Sequence, residues 1–136
     1  MTEQNEYFGR ERLLAGDAMM DVLAATRVLV FGTGGVGSWC VEALARSAVG
    51  HITLVDSDTV APSNINRQLP AAVSTIGLPK VDVLAARIAD INPVATVEAV
   101  QGRYTPDTGA DFDIESYDYV IDAIDSLADK ADLILR

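Results

Sequence analysis

Short, mainly apolar runs alternate along this chain with longer stretches whose apolar residues recur every three or four positions. The runs are Arg27–Gly32, His51–Asp56, Thr96–Val100 and Tyr117–Ala123. Arg27–Gly32, short and rich in Val, Leu and Phe, has the signature of a buried strand, and the other three read as strands. Between them lie the stretches with helical spacing: residues 11–25, read as one or two short helices, then Val36–Ser47, Pro79–Ile91 and Ser126–Arg136. Pro79 suits a first helical turn, and Asn92-Pro93 stops the helix that it opens. Two segments lack either period. Ser57–Gly77 is a long polar connection with room for a helical turn, and Gly102–Ser116 is a loop rich in Asp, Gly, Pro and Thr. Strands alternating with helices predict right-handed crossovers and a mainly parallel α/β sheet with helices on both faces. In such sheets ligands bind outside the carboxyl ends of the strands.

The polar chemistry of the sequence falls at those ends. Gly32-Thr33-Gly34-Gly35-Val36-Gly37 follows the first strand and opens a helix. Gly32, Gly34 and Gly37 match Gly-x-Gly-x-x-Gly, which suggests backbone at positive φ and backbone close to a phosphate, with free helix amides facing the anion. The bland alternative is a turn selected for close strand–helix packing. Asp56 ends the second strand 19 residues after Gly37. That is close to the roughly 20 expected of an acid that binds a nucleotide ribose. A solvated strand-end aspartate is the competing reading, and Asp58 either joins the site, is solvated, or caps the following turn. Together these features predict a Rossmann-like nucleotide-binding domain over 27–136, preceded by a helical segment over 1–26.

A hydride-transfer enzyme needs no more than this. Here Ser63, Asn64, Asn66, Arg67 and Gln68 follow the ribose acid, Lys80 opens the next helix, and Asp122, Asp125 and Ser126 flank the end of the fourth strand. Cations and a metal best stabilise charge on a phosphoryl group undergoing transfer. Mg²⁺ takes one or two carboxylates plus phosphate oxygens, and Asp125 suits that role. Asp122 either supports it or caps the helix at Ser126. Lys80 alone would read as a solvated helix residue. The cluster points to ATP-dependent adenylation and leaves an NAD-dependent oxidoreductase as a remote alternative.

Composition sharpens this picture. The chain has 136 residues and a formal net charge of −10, so it carries no broad basic footprint for nucleic acid. Its one cysteine, Cys40, excludes an intrachain disulfide and fits a reducing compartment. Cys40 is expected to be a buried, inert thiol rather than a nucleophile, and His51 to be structural or solvated. No apolar stretch approaches the ~20 residues of a membrane span, and residues 1–12 lack an apolar signal core. The expectation is a cytoplasmic protein. Arg10 and Arg12 read as solvated, though a partner subunit would be able to insert one of them into the site. The last residues, Ala131 to Arg136, read as the middle of an amphipathic helix with no stop signal, so a longer protein is expected.

These motifs resemble the ubiquitin-activating-enzyme-like adenylating family, from Phe8-Gly9-Arg10 to Lys130. The specific matches are the glycine turn, Leu54-Val55-Asp56-Ser57-Asp58, Ser63-Asn64-Ile65-Asn66-Arg67-Gln68, Gly77-Leu78-Pro79-Lys80 and Asp122-Ala123-Ile124-Asp125-Ser126. Within the family, Gly35-Val36-Gly37-Ser38-Trp39 and Tyr119–Ser126 look like the tRNA threonylcarbamoyladenosine dehydratase branch. The resemblance implies that Gly34 and Gly35 lie against ATP, Asp56 binds its ribose, Asn64, Arg67 and Lys80 contact phosphates, and Asp125 binds Mg²⁺. It implies a homodimer in which Arg10 acts from the partner subunit. The implied substrate is the threonyl carboxylate of a modified adenosine in tRNA, docked largely outside this chain. A carrier protein's C-terminal glycine is the alternative substrate, and a sulfur-transfer partner would accompany it. Members of the family usually continue for roughly as long again.

Overall fold

The structure, a computed structural model, describes residues 6–136; the first five residues of the expected N-terminal segment lie outside the described part. Four strands form one parallel sheet: β1 (Arg27–Phe31), β2 (His51–Val55), β3 (Thr96–Val100) and β4 (Tyr119–Asp122). Their order is β3-β2-β1-β4. Val30 lies beside Leu54 on one side and Ile121 on the other. β1 is therefore central, and its residues Val28 to Phe31 are at most 2 % exposed. A strand buried on both faces must be apolar throughout, which is why its sequence shows a continuous run rather than alternation.

Among the described residues these helices accompany the sheet: α1 (Gly9–Ala15), α2 (Asp17–Ala25), α3 (Gly37–Arg46), α4 (Lys80–Ile91) and α5 (Leu127–Leu135). On one face, Val28, Val30, Ile52 and Leu54 pack with Val41 and Ala45 of α3 and with Val81, Leu84 and Ile88 of α4. The i, i+4 and i, i+3, i+7 spacings of those helix residues set one apolar stripe against the sheet.

The opposite face carries a helix, as expected, with an aromatic loop beside it. Leu29, Phe31 and Val55 pack on Tyr104, Phe112, Ile114 and Tyr117, which come from the segment between β3 and β4, and on Leu133 of α5. Phe31 meets Tyr104 and Phe112 edge to face, each with ring centroids 5.0 Å apart. One helix and an aromatic loop thus replace the pair of helices found on the first face. Tyr104 is 2 % exposed, and its hydroxyl donates to Asp132 Oδ2 at 2.6 Å while accepting from Arg136 Nε at 3.0 Å. Burial holds the Tyr104 phenol above its ordinary range. The segment after β2 contains two short 3₁₀ turns, Pro62–Asn64 and Val73–Thr75. Among the described residues no helix is long and apolar enough to cross a membrane.

Candidate nucleotide-binding site

β2 and β3 lie on one side of β1 and β4 on the other. The order reverses between β1 and β4, and a parallel sheet opens a crevice at that point. The glycine turn leaves β1 there, and Ala123 to Ser126 leave β4 opposite it.

The glycines serve different needs. Gly32 has φ 91°, and a Cβ on it would stand 2.4 Å from the carbonyl oxygen of Ala123. Gly37 opens α3, and its Cβ would stand 1.8 Å from the carbonyl oxygen of Gly32. Positive φ belongs to Gly32 alone within the turn, so the expected conformational role of the other glycines is corrected: Gly37 is required by packing. Added Cβ atoms at Gly34 and Gly35 would meet only the side chains of Gln68 and Arg67, at 3.6 and 3.5 Å. Gly34 and Gly35 present bare backbone, and among the described residues their amides have no protein acceptor. Such amides at a helix entry are donors for an anion.

Asp56 braces this cradle. Its Oδ2 accepts from the backbone N–H and the hydroxyl of Thr33 at 2.8 and 2.9 Å, and its Oδ1 accepts from Asp58 N at 2.8 Å. Asp56 lines both hollows at the crevice. It is therefore positioned beside the cradle as the spacing predicts, while also fixing the turn. The role of the buried Thr33 was not legible, because its partner lies 23 residues away.

The segment after β2 closes over the cradle. Asn64 Oδ1 accepts from Ala61 N at 2.9 Å and shapes the turn. Arg67 donates through Nη1 to the Ser63 carbonyl at 3.0 Å and to Asn66 Oδ1 at 2.9 Å. Gln68 is 8 % exposed, and its Oε1 has no partner among the described residues. Lys80, the first residue of α4, is 4 % exposed rather than solvated. Its Nζ lies 3.5 Å from Asp58 Oδ2. Arg67, Gln68, Lys80, Asp58 and Asp125 line one hollow with the glycine turn.

On the β4 side, Asp122 pairs with Lys130 Nζ at 2.8 Å and accepts from Ile124 N at 3.1 Å. Ser126, not Asp122, caps α5, accepting from Asp129 N at 3.4 Å. Asp125 is exposed toward both hollows, outside the ion pairs that hold Asp58, Asp122 and Asp129. Arg10 lies elsewhere, in a hollow shared with Tyr7, Glu11, Leu14 and Arg46. Arg12 pairs with Asp17 at 2.5 Å. Cys40 is half-buried, less than expected, and burial pushes its thiol up; thiolate chemistry is disfavoured there. His51 is half-buried at the start of β2, its backbone N–H on the Thr26 carbonyl.

Arg103 is a residue that the sequence reading passed over. It lines the second hollow with Tyr104 and Ala123, and donates to Asp129 Oδ2 at 2.7 Å. That bond holds the Asp129 carboxyl below the ordinary carboxylate range. A depressed pKa stabilises the fold above the unfolded-state value and loses that contribution as pH falls through the folded-state value. Thermal unfolding followed from pH 7 into the acid range below the ordinary aspartate pKa is expected to show Asp129→Asn flatter than the parent, with the difference shrinking as the pH falls.

The model of the ThiF family matches residues 8–134. The tRNA threonylcarbamoyladenosine dehydratase of Bacillus subtilis (strain 168) is 50 % identical over 127 residues, covering 93 % of this chain and 50 % of that protein. The enzyme of the same name in Escherichia coli (strain K12) is 46 % identical over 93 % of this chain and 47 % of its own. The crystal structure of E. coli tRNA N6-threonylcarbamoyladenosine dehydratase, TcdA, in complex with ATP superposes with a TM-score of 0.94 at 44 % identity. It covers 98 % of this chain and 55 % of that one. The chain spans about half the length of the curated relatives it matches.

Proposed function

The chain belongs to the ThiF family, and from that premise we propose that it is the nucleotide-binding half of an ATP-dependent tRNA threonylcarbamoyladenosine dehydratase. The observation that carries this reading is the cradle itself. Bare backbone at Gly34 and Gly35 faces Lys80, Arg67 and a buried Gln68 whose Oε1 lacks a partner among the described residues. A redox dinucleotide requires no such cluster of cations.

Within this reading, Gly34 and Gly35 amides and the buried Lys80 ammonium hold phosphate oxygens, and Arg67 contributes a second cation. A low-dielectric, preorganised set of donors stabilises charge as it develops, without reorganisation at the moment of reaction. ATP supplies the electrophile: a carboxylate oxygen of the substrate bonds to the α-phosphorus and pyrophosphate leaves. The neighbouring carbamoyl group then attacks the acyl carbon, and AMP departs with the carboxylate oxygen, so the net loss from the nucleoside is water. Asp56, between Thr33 and the hollow, is the group for the ribose.

The residues also fit Mg²⁺. No cluster of three or more potential protein ligands is present among the described residues, but Mg²⁺ characteristically takes one or two carboxylates and completes its shell with phosphates and water. Asp125 is the exposed carboxylate for it, and the ion would neutralise phosphate charge. Arg10 sits away from the cradle of its own chain. A homodimer in which it reaches the partner's site agrees with that position, and a cytoplasmic location goes with tRNA as the substrate.

The test is thermal unfolding with Mg²⁺-ATP, with ATP and chelator, and with NAD, followed by AMP release on tRNA carrying threonylcarbamoyladenosine. A shift with ATP that weakens without Mg²⁺ is expected. A shift with NAD alone would overturn the reading, and AMP release on a carrier protein but not on tRNA would move it to carrier adenylation. Asp125→Ala is expected to remove the Mg²⁺-dependent part of the ATP shift; an unchanged Mg²⁺ response would sink the metal assignment.

A further inference from the structure

We propose that Trp39 is a positioning residue, one that sets where Arg67 stands over the phosphate cradle by holding the Arg67 backbone. The inference rests on the nucleotide reading for its consequence but on geometry for its content. Trp39 lies in the first turn of α3 and is 55 % exposed. Its indole Nε1–H nevertheless donates to the carbonyl of Arg67 at 2.9 Å. An exposed indole N–H has water as a ready partner, so a bond to a backbone 28 residues away reflects tertiary placement.

The neighbouring Ser38 fastens the same segment from the other side. Fully buried, it donates to the carbonyl of Gly34 and accepts from Leu69 N at 3.2 Å. The two residues of one helical turn thus grip the backbone on both sides of Gln68. The grip matters because the segment 57–77 has no strand and no α-helix, only short 3₁₀ turns. Arg67 has no carboxylate partner among the described residues. Its guanidinium bonds stay within its own loop, and its Cγ stands 3.5 Å from where a Cβ of Gly35 would be. Where the loop backbone goes, the guanidinium goes with it.

Trp39→Phe keeps the ring and deletes the donor. Without nucleotide, amide hydrogen exchange of the segment 63–69 is expected to rise by about threefold to tenfold, the equivalent of one ordinary hydrogen bond. ATP affinity is expected to fall by a similar factor and adenosine affinity to stay unchanged, because the loss falls on the phosphates. In an Arg67→Ala background the same substitution is expected to cost no further ATP affinity. Unchanged exchange in 63–69 overturns the proposal whether or not ATP binds. Equal losses for ATP and adenosine, or full additivity with Arg67→Ala, also overturn it and point to a stacking surface for a base. Absence of ATP binding in the parent would instead count against the nucleotide reading, with the exchange arm still deciding the role of Trp39.

Discussion

Gly37→Ala is expected to cost about 3 kcal/mol or more of stability and to abolish nucleotide binding with it. Local propensity argues the other way. Gly37 opens α3, and alanine is favoured over glycine within a helix by up to ~1 kcal/mol. Packing decides the outcome, because the new Cβ would stand 1.8 Å from the carbonyl oxygen of Gly32 and 3.0 Å from the Cβ of Ala123. Both neighbours belong to rigid backbone at the switch point: Gly32 N donates to the Val55 carbonyl at 2.9 Å and Ala123 N to the Phe31 carbonyl at 2.9 Å. Relief requires α3 to move away from the sheet. Against a total stability of about 5–15 kcal/mol, that is a large fraction. Denaturant titration of Gly37→Ala and of Gly35→Ala separates the effects. Gly35 is exposed and its Cβ would meet only Arg67 at ordinary contact distance, so its variant is expected to unfold within about 0.5 kcal/mol of the parent. A parent-like Gly37→Ala midpoint would refute the packing role.

The second large effect is chemical. Lys80→Met is expected to lower adenylation by about 10²–10³-fold, the usual consequence of deleting one preorganised charge donor, while leaving the apo fold intact. The ammonium is buried, but its partner Asp58 has a side chain 69 % exposed. Removing the lysine therefore leaves no buried orphan charge, and methionine fills the space of the stem. Replacing a buried charge with an apolar side chain of similar shape is often neutral or stabilising. Equal or higher thermal stability without nucleotide, together with loss of the ATP-induced shift, is the expected pair of results. An ATP shift of parent size would remove Lys80 from the phosphate site.

Much of the architecture was legible because it rests on local periodicity. The continuous apolar run of β1, the 3.6-residue stripe of α4 and the Asn92-Pro93 stop are properties of neighbouring residues, and each element fell where the pattern put it. The glycine turn was legible as a cradle because a strand precedes it and a helix follows. What escaped were residues whose partners are remote. Thr33 and Arg103 are the examples; Lys80, which alone would read as a solvated helix residue, entered the candidate site through the cluster of motifs around it. The second face of the sheet carries α5, as helices on both faces require, but the aromatic cover beside it was not legible. Phe112 and Tyr104 cover much of it from a stretch whose Asp, Gly, Pro and Thr content reads as loop.

By itself, then, the sequence determined the alternation of strands and helices, the parallel sheet that follows from it, and the crevice side on which glycines, acids and cations collect. Tertiary structure decided how those groups are held: Thr33 on Asp56, Trp39 on the Arg67 carbonyl and Arg103 on Asp129, with partners 23 to 28 positions apart in the chain. The physical reason is that hydrophobic period is a one-dimensional property, whereas a hydrogen bond between distant residues exists only once the strand order β3-β2-β1-β4 has set which loop ends meet.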